Sequence, residues 1–474
     1  MKVFFIIPPN IHYIEPYAYI EADKSNTVRP HLGILYVAAV LKRDLGIQAR
    51  IIDSNADNLT LNDLESIIAE EKPDIVGFSV LTFNLLNCIE VCKIIKKQSP
   101  LSKICFGGWH PTLYPRETLE LGCADYIVIG EGEYTFLELV SYCKEKKGNP
   151  DQNLNGITGL GYKTKQGVVV VNPARKPVQS LDELPFPAYD FVDTTKYSNL
   201  LACTGNSVVI MTSRGCPQRC IFCDLRCTPY RFRSPVNILE EIKFWVGKNI
   251  REFFIQDDNF TISRKRTIEF CRLIIDSGIK IKYKISSRVD YLDDEMLGYL
   301  KKSGCYRIYF GVESGSQKIL DYLEKGITVE QIEDTFRLAK KHGIDRCAYI
   351  MIGSYPESQD DIDKTLRLIR KIKPEHLHCS ICAPMPKTHL YYMLLEDGII
   401  KKDYWLVFAK NPSPAFKTPF FNQFFDSQRL RVMQNKIQKQ FYLNPMVILQ
   451  EIKRTRGLKQ FLVKSKMALK VFSK

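Results

Sequence analysis

At 474 residues the chain is too long for one ordinary domain, so two or three are expected, and its 45% apolar share is enough for sizeable cores. It holds no run of about eighteen apolar residues, which speaks against a membrane-spanning helix, and its fifteen cysteines, odd in number and scattered, speak against a secreted disulfide framework and for a reducing, cytoplasmic setting. The net charge of +14 is concentrated at one end: Arg429 to Lys474 holds twelve basic residues and a single acid, Glu451.

In chain order, residues 2–8 read as a strand ended by Pro8 and Pro9, a poor match to a signal peptide. A long loop over 10–32 follows, then a helix over 33–44. Strands at 48–53, 74–80, 103–107 and 125–129 alternate with helices at 61–71, 84–97, 116–121 and 133–146. Short apolar strands alternating with amphipathic helices predict a parallel, doubly wound, Rossmann-like sheet over residues 1–146. Ligands of such sheets bind beyond the carboxyl ends of the strands. Those ends carry Ser79, Gly107, Gly108, Gly130, Glu131 and Gly132, either as plain turn residues or as places where a bulky ligand meets the backbone. Residues 147–200, rich in Pro, Gly and Asn, read as a linker with a small hairpin.

A second alternating run fills 201–390. Strands at 208–213, 252–256, 282–286, 306–310, 346–352 and 376–382 are separated by helices, about six strand–helix units in all, which predicts a partial (β/α)6 barrel with its site at the carboxyl ends of the strands. After the first of these strands comes GCPQRCIFC, with Cys216, Cys220 and Cys223. Three thiolates on one loop can hold three irons of a 4Fe–4S cube and leave the fourth open to a ligand. Structural zinc sites use four ligands in paired spacings, and adding Cys227 does not produce that pattern.

This CxxxCxxC loop after the first barrel strand resembles the signature of the radical S-adenosylmethionine (SAM) superfamily. Further strand ends resemble the family's SAM-binding motifs: QDDNF with Asp257 or Asp258, SSRVD with Ser286 and Arg288, YFGVESGS with Glu313, and YIMIGSYPE with Gly353. Phe222, just before the last cysteine, matches the position that lies beside the adenine. The segments RPHLGILYVAAVLK, VGFSV, GGWHPTLYPRE and ADYIVIGEGE resemble the cobalamin-binding domain that precedes the barrel in one large class of the superfamily. The resemblance implies a 4Fe–4S cluster, SAM and cobalamin as cofactors. It implies Ser79, Gly107, Gly108, His110, Gly130, Glu131 and Gly132 along the cobalamin, with Trp109 and His110 near the corrin or its tail. The DxHxxG loop that supplies a histidine to cobalt in many methyltransferases is missing, which implies cobalamin bound without a histidine below the metal.

The implied activity is formation of a 5′-deoxyadenosyl radical, used for C-methylation of an unactivated carbon in a lipid or natural-product intermediate. Cyclisation, rearrangement and carbon–carbon coupling are the alternatives within the class, and a non-catalytic cobalamin or iron–sulfur sensor is the alternative outside it. The implied partners are that substrate and a flavodoxin- or ferredoxin-type reductant. Cys227 reads as a small buried residue rather than a redox thiol, and Cys379 and Cys382, three apart on a strand, point to opposite faces. Tyr306 and Tyr309 read as core packing. Residues 391–474 read as a basic helical extension. Its Leu458, Phe461, Leu462 and Leu469 recur at helical spacing, to pack on the barrel or, alternatively, to lie on an anionic membrane. Few aromatics interleave with its charges, so a nucleic-acid partner is not expected.

Overall fold

The structure, a computed structural model, describes residues 1–12, 14, 29–145, 154–197 and 207–454. The expected hydrophobic helix over 458–469 lies outside them. The chain divides into two compact units: Met1–Glu15, Pro30–Tyr197 and Ile400–Lys417 in one, and Pro16–Arg29, Ser198–Ile399 and Thr418–Lys474 in the other.

In the first unit, strands β1 (Val3–Ile7), β2 (Arg50–Asp53), β3 (Ile75–Ser79), β4 (Lys103–Gly107) and β5 (Tyr126–Val128) are joined by helices Leu32–Leu45, Leu61–Glu71 and Leu85–Gln98 and by the short helices Trp109–Leu113 and Pro115–Glu120. The sheet order is β2-β1-β3-β4-β5, all parallel. Both faces are covered, so the strands are apolar throughout: Val3, Phe5 and Ile7 enter one core while Phe4 and Ile6 enter the other. The helices are stopped where the sequence allows it. Thr60 and Asp63 form a reciprocal cap at one start, and Gly46 ends Leu32–Leu45 at φ 66°.

The segment expected as a linker does more than connect. Strands β6 (Leu160–Lys163) and β7 (Val169–Val171) form an antiparallel hairpin that extends the first sheet beyond β5. Residues 400–417, expected within one C-terminal extension, also join this unit through helix Tyr404–Lys410, whose Trp405 meets Phe83 edge-on at 6.0 Å.

In the second unit, β8 (Val208–Ile210), β11 (Glu252–Ile255), β12 (Lys282–Ser287), β13 (Cys305–Glu313), β14 (Asp345–Ile352) and β15 (His376–Ile381) form one parallel sheet in the order β15-β14-β13-β12-β11-β8. A separate two-stranded ribbon, β9 (Ser213–Arg214) with β10 (Arg231–Phe232), closes the cysteine loop. Side chains alternate between the sheet's faces. One set packs on the helices: Tyr283 against Phe270 at 5.6 Å and Phe310 against Phe336 at 4.9 Å. The β15 edge is covered by helix Ser427–Tyr442, whose Gln434 and Gln438 amides donate to the Cys379 carbonyl at 2.7 and 2.9 Å. Cys379 and Cys382 are both buried.

Candidate functional site

In the second unit, residues 215–230 make the cysteine loop between β9 and β10. Gly215 starts it at φ 86°, and a Cβ there would lie 2.2 Å from the Pro229 carbonyl oxygen, so only glycine lets the two ends of the loop meet. Thr228 locks the crossing: its hydroxyl accepts from the Cys216 N–H at 2.8 Å, and its own N–H donates to the Cys216 carbonyl at 3.0 Å. The Ile221 N–H donates to the Leu323 carbonyl at 3.1 Å, which ties the loop to the end of β13's following helix.

Cys220 is buried, while Cys216 and Cys223 are partly exposed. Burial pushes the Cys223 thiol up to about 12 and the Cys216 thiol upward as well. A cationic centre would reverse that order, because it favours the thiolates. No three His, Cys, Asp or Glu among the described residues gather closely enough for a single metal ion. Thiolates that each hold a different iron of a cube need not converge on one point. A three-thiol loop with an open side therefore fits a 4Fe–4S group. Cys227 differs from its expectation: it is exposed, with φ 56°, because it forms the left-handed turn that brings its N–H to the Gln218 carbonyl at 2.9 Å.

The other expected residues stand at carboxyl ends of neighbouring strands. The acidic pair after β11 is divided in its work. Asp257 is buried, and its oxygens accept from the Thr212 N–H (2.6 Å) and hydroxyl (2.5 Å) and from the Ser213 N–H (3.0 Å) and hydroxyl (2.7 Å). With those bonds it fastens the end of β8 and is not left to face a ligand. Asp258 is the exposed member; desolvation, then Asp257 and Asp224, push its carboxyl up to about 6 against a backbone bond from Gly215. Asn259 keeps a buried side-chain N–H2 without a partner.

Arg288, after β12, is buried and forks onto Asp290 with two bonds of 2.9 Å, while its remaining nitrogen lies 3.7 Å from the Cys220 sulfur. Ser286 sits two residues earlier, partly exposed. Glu313 ends β13 in a left-handed conformation, φ 60°, where the pairing with β14 shifts register. A non-glycine residue held there is strained, and such strain gathers at functional sites. Its carboxylate meets Lys325 at 2.7 Å, both buried, and Lys325 also lies 5.9 Å from the Phe222 ring centre. Gly311 makes room for this pair, since a Cβ would come within 2.7 Å of both charged groups. Gly353 follows β14 at φ 80°, its N–H donating to Glu357 at 2.5 Å. Sequence reasoning missed Lys325; a lone lysine in a helix-ending LEKG stretch carries no signal until the fold brings it to Glu313.

In the first unit the order β2-β1-β3-β4-β5 reverses direction between β1 and β3, the position where ligands of this topology bind. Ser79, Gly107, Gly108, Gly130 and Gly132 line that carboxyl edge. Gly108 takes φ 97° and a Cβ there would come 2.9 Å from the Val80 carbonyl; around Gly130, φ 76°, a Cβ would meet nothing within 4 Å. At Gly130 the edge therefore presents bare backbone beside open space, which leaves room there for a bulky group. Glu131 accepts from the Val178 N–H at 2.8 Å. Trp109 is 37% exposed. His110, expected along the cobalamin, stands two residues after Gly108. It is fully buried, bonded to the Thr82 hydroxyl at 3.1 Å, and burial pushes its imidazole down to about 4. Its backbone N–H donates to the Val80 carbonyl at 3.0 Å, and its ring lies 5.6 Å from that of Tyr114.

The model of the radical SAM superfamily matches residues 210–369, and that of the B12 binding domain residues 22–140. The chain is 31% identical over 462 residues, 96% of both chains, to an uncharacterized methyltransferase of Pyrococcus horikoshii. It is 30% identical over 371 residues to an anaerobic magnesium-protoporphyrin IX monomethyl ester cyclase of Rubrivivax gelatinosus, covering 77% of this chain and 66% of that one. Among solved structures, the cobalamin-dependent SAM radical enzyme OxsB superposes with a TM-score of 0.75 at 19% identity, covering all of this chain and 72% of that one. The radical SAM methyltransferase TsrM of Kitasatospora setae superposes with a TM-score of 0.67 at 20% identity, over 84% of this chain and 76% of that one.

Proposed function

Because this chain belongs to the radical SAM superfamily, with a B12-binding domain ahead of its radical SAM domain, we propose that it is a C-methyltransferase acting on an unactivated carbon of a lipid or natural-product intermediate. It is a cobalamin-dependent radical SAM enzyme, and its cofactors are a 4Fe–4S cluster, SAM and cobalamin. When bound, the cluster and SAM supply a radical that takes hydrogen from carbon, and cobalamin supplies a methyl group.

The chain's residues divide the remaining work. Cys216, Cys220 and Cys223 hold the cluster, and the Arg288 guanidinium lies 3.7 Å from the Cys220 sulfur. Asp258, rather than Asp257, receives the SAM amino group; Arg288 and Ser286 receive its carboxylate and ribose. Phe222 and the backbone at Gly353 border the adenine. The Glu313–Lys325 pair keeps Phe222 and the end of β13 in register. Ser79, the paired glycines and Glu131 border the cobalamin. A small flavodoxin- or ferredoxin-type protein supplies the electron.

The observation that carries this reading is the alignment of the three-cysteine loop with Asp258, Arg288 and Glu313 on one edge of one sheet. The test is anaerobic: the protein is reconstituted with iron, sulfide and cobalamin, reduced and given SAM, and its products and cofactor spectrum are analysed. 5′-Deoxyadenosine together with a retained, methylated cobalamin supports the methyltransferase. 5′-Deoxyadenosine without retained cobalamin removes methyl transfer from the proposal. The similarity to the cyclases keeps ring formation as the second reading, and it would be favoured by substrate conversion without methyl gain.

A further inference from the structure

The turn after β14 is held by a part of the chain that lies far along the sequence. The backbone turns at Gly353, φ 80°, and runs through Ser354, Tyr355 and Glu357 before the helix Gln359–Ile372 begins. The Glu357 N–H donates to the Ser354 carbonyl at 2.9 Å, and the Glu357 carboxyl takes the Gly353 N–H. Burial pushes that carboxyl up to about 8, so near neutral pH it is mainly uncharged. Ser354 and Glu357 are 0% exposed, and buried carbonyls need donors.

The donors come from residues 422 and 423. The Asn422 amide N–H2 donates to the Ser354 carbonyl at 2.6 Å and to the Glu357 carbonyl at 3.0 Å, and the Gln423 N–H donates to the Tyr355 carbonyl at 3.0 Å. The Asn422 side-chain oxygen is fixed in turn by the Phe424 and Phe425 N–H groups at 2.8 and 2.9 Å. Buried Leu430 backs Gly353: its two methyls lie 2.9 Å from where a Cβ on that glycine would stand.

Covering the edge of β15 explains Gln434 and Gln438, which serve the Cys379 carbonyl. It does not explain Asn422, Gln423 and Leu430, which meet one turn at the carboxyl end of the next strand, β14. That turn carries Gly353, the backbone assigned above to the adenine of SAM. A free loop of this kind takes many conformations, and tying three of its carbonyls to a second segment fixes one of them before a ligand arrives. The match to the radical SAM superfamily ends at residue 369, so the tying segment lies outside the sequence that identifies the family.

We propose that residues 422–430 are a strap that holds the 353–357 turn in the shape that receives the adenine of SAM, with Asn422 as its positioning residue. Asn422 acts through the turn and not on SAM itself. The inference rests on the function proposed above and deepens it, because the C-terminal extension then supplies part of the SAM site.

The test uses reconstituted holoprotein, anaerobic and unreduced so that SAM stays whole, in equilibrium dialysis with two probes. One is SAM; the other is S-methyl-L-methionine, which keeps the amino acid and the sulfonium and lacks the adenosine. Asn422→Asp keeps the size and the acceptor for Phe424 and Phe425 while setting a carboxylate oxygen against the two carbonyls. It should weaken SAM about tenfold and leave S-methyl-L-methionine unchanged within about twofold. Asn422→Ala, which removes the donors without adding a charge, should shift the same ratio in the same direction. The ratio is read on folded, cluster-loaded protein, so a general loss of stability does not move it. A full preference for SAM in either cluster-loaded variant overturns the inference, as does an equal loss for the two probes or failure of both variants to load the cluster. Wild-type protein separates the two readings. If it prefers SAM and the variants do too, only the strap is wrong; if it shows no preference, the SAM site proposed above is.

Discussion

The adjacent acids Asp257 and Asp258 differ in what their oxygens already hold. Asp257 accepts four bonds from Thr212 and Ser213, so Asp257→Ala leaves buried donors unsatisfied and should cost about 2 kcal/mol or more, read as a lowered Tm. Asp258→Asn should leave the Tm and the cluster absorbance in place while weakening SAM binding about tenfold, measured by equilibrium dialysis. If the two variants behave alike, the division between them is wrong. The same scale offers a pH test. His110 is buried with its imidazole pushed down from 6.5 to about 4, so the unfolded chain binds the extra proton first as pH falls. Stability should drop between pH 6.5 and 4, by up to about 3 kcal/mol, and denaturant titrations of His110→Gln should lack that component.

At the scale of an element, the cysteine loop works because its ends cross. Gly215→Ala forces a methyl against the Pro229 carbonyl at a backbone angle that L-residues resist. Iron retained per chain after reconstitution should fall sharply, alongside the loss expected when Cys216, Cys220 and Cys223 are all replaced by Ala. A 4Fe–4S signal persisting in the triple variant would remove the cluster assignment. The end of β13 poses a second test. Lys325→Met strands the buried Glu313 carboxylate, which should cost about 3–5 kcal/mol. The double variant Lys325→Met with Glu313→Gln should recover much of that loss in Tm, because no buried charge is then left alone.

At the scale of the whole molecule, no helix among the described residues is long and apolar enough to cross a membrane. The helix Pro445–Arg454 nevertheless exposes Met446, Ile448 and Leu449, and the basic residues of the C-terminal tail follow it. We expect a chain ending at Asn444 to partition less onto anionic vesicles than the full chain, in a sedimentation assay at low salt. Equal partition would leave the tail as a packing element only.

Much of this was legible in one dimension. Strand and helix order follows from hydrophobic period, which is a local property, and the expected elements of both sheets stand where their periods put them. The three-cysteine loop was legible because a cluster that takes its ligands from one short loop leaves its spacing in the sequence. The pairing of Glu313 with Lys325, the inward turn of Asp257 and the burial of His110 were not. Each depends on which face of a strand, or which distant segment, a side chain meets, and a polar residue reads the same in the chain whether it ends as a ligand or as a brace. The attachment of the 160–171 hairpin to the edge of the first sheet and the return of residues 400–417 to the first unit likewise follow from edges and surfaces that exist only once the sheets have formed. Local periodicity and spacing thus determined the elements, their order and the three-cysteine loop, while tertiary packing alone decided which of the polar residues are buried against partners, because burial and partner choice are properties of the folded whole.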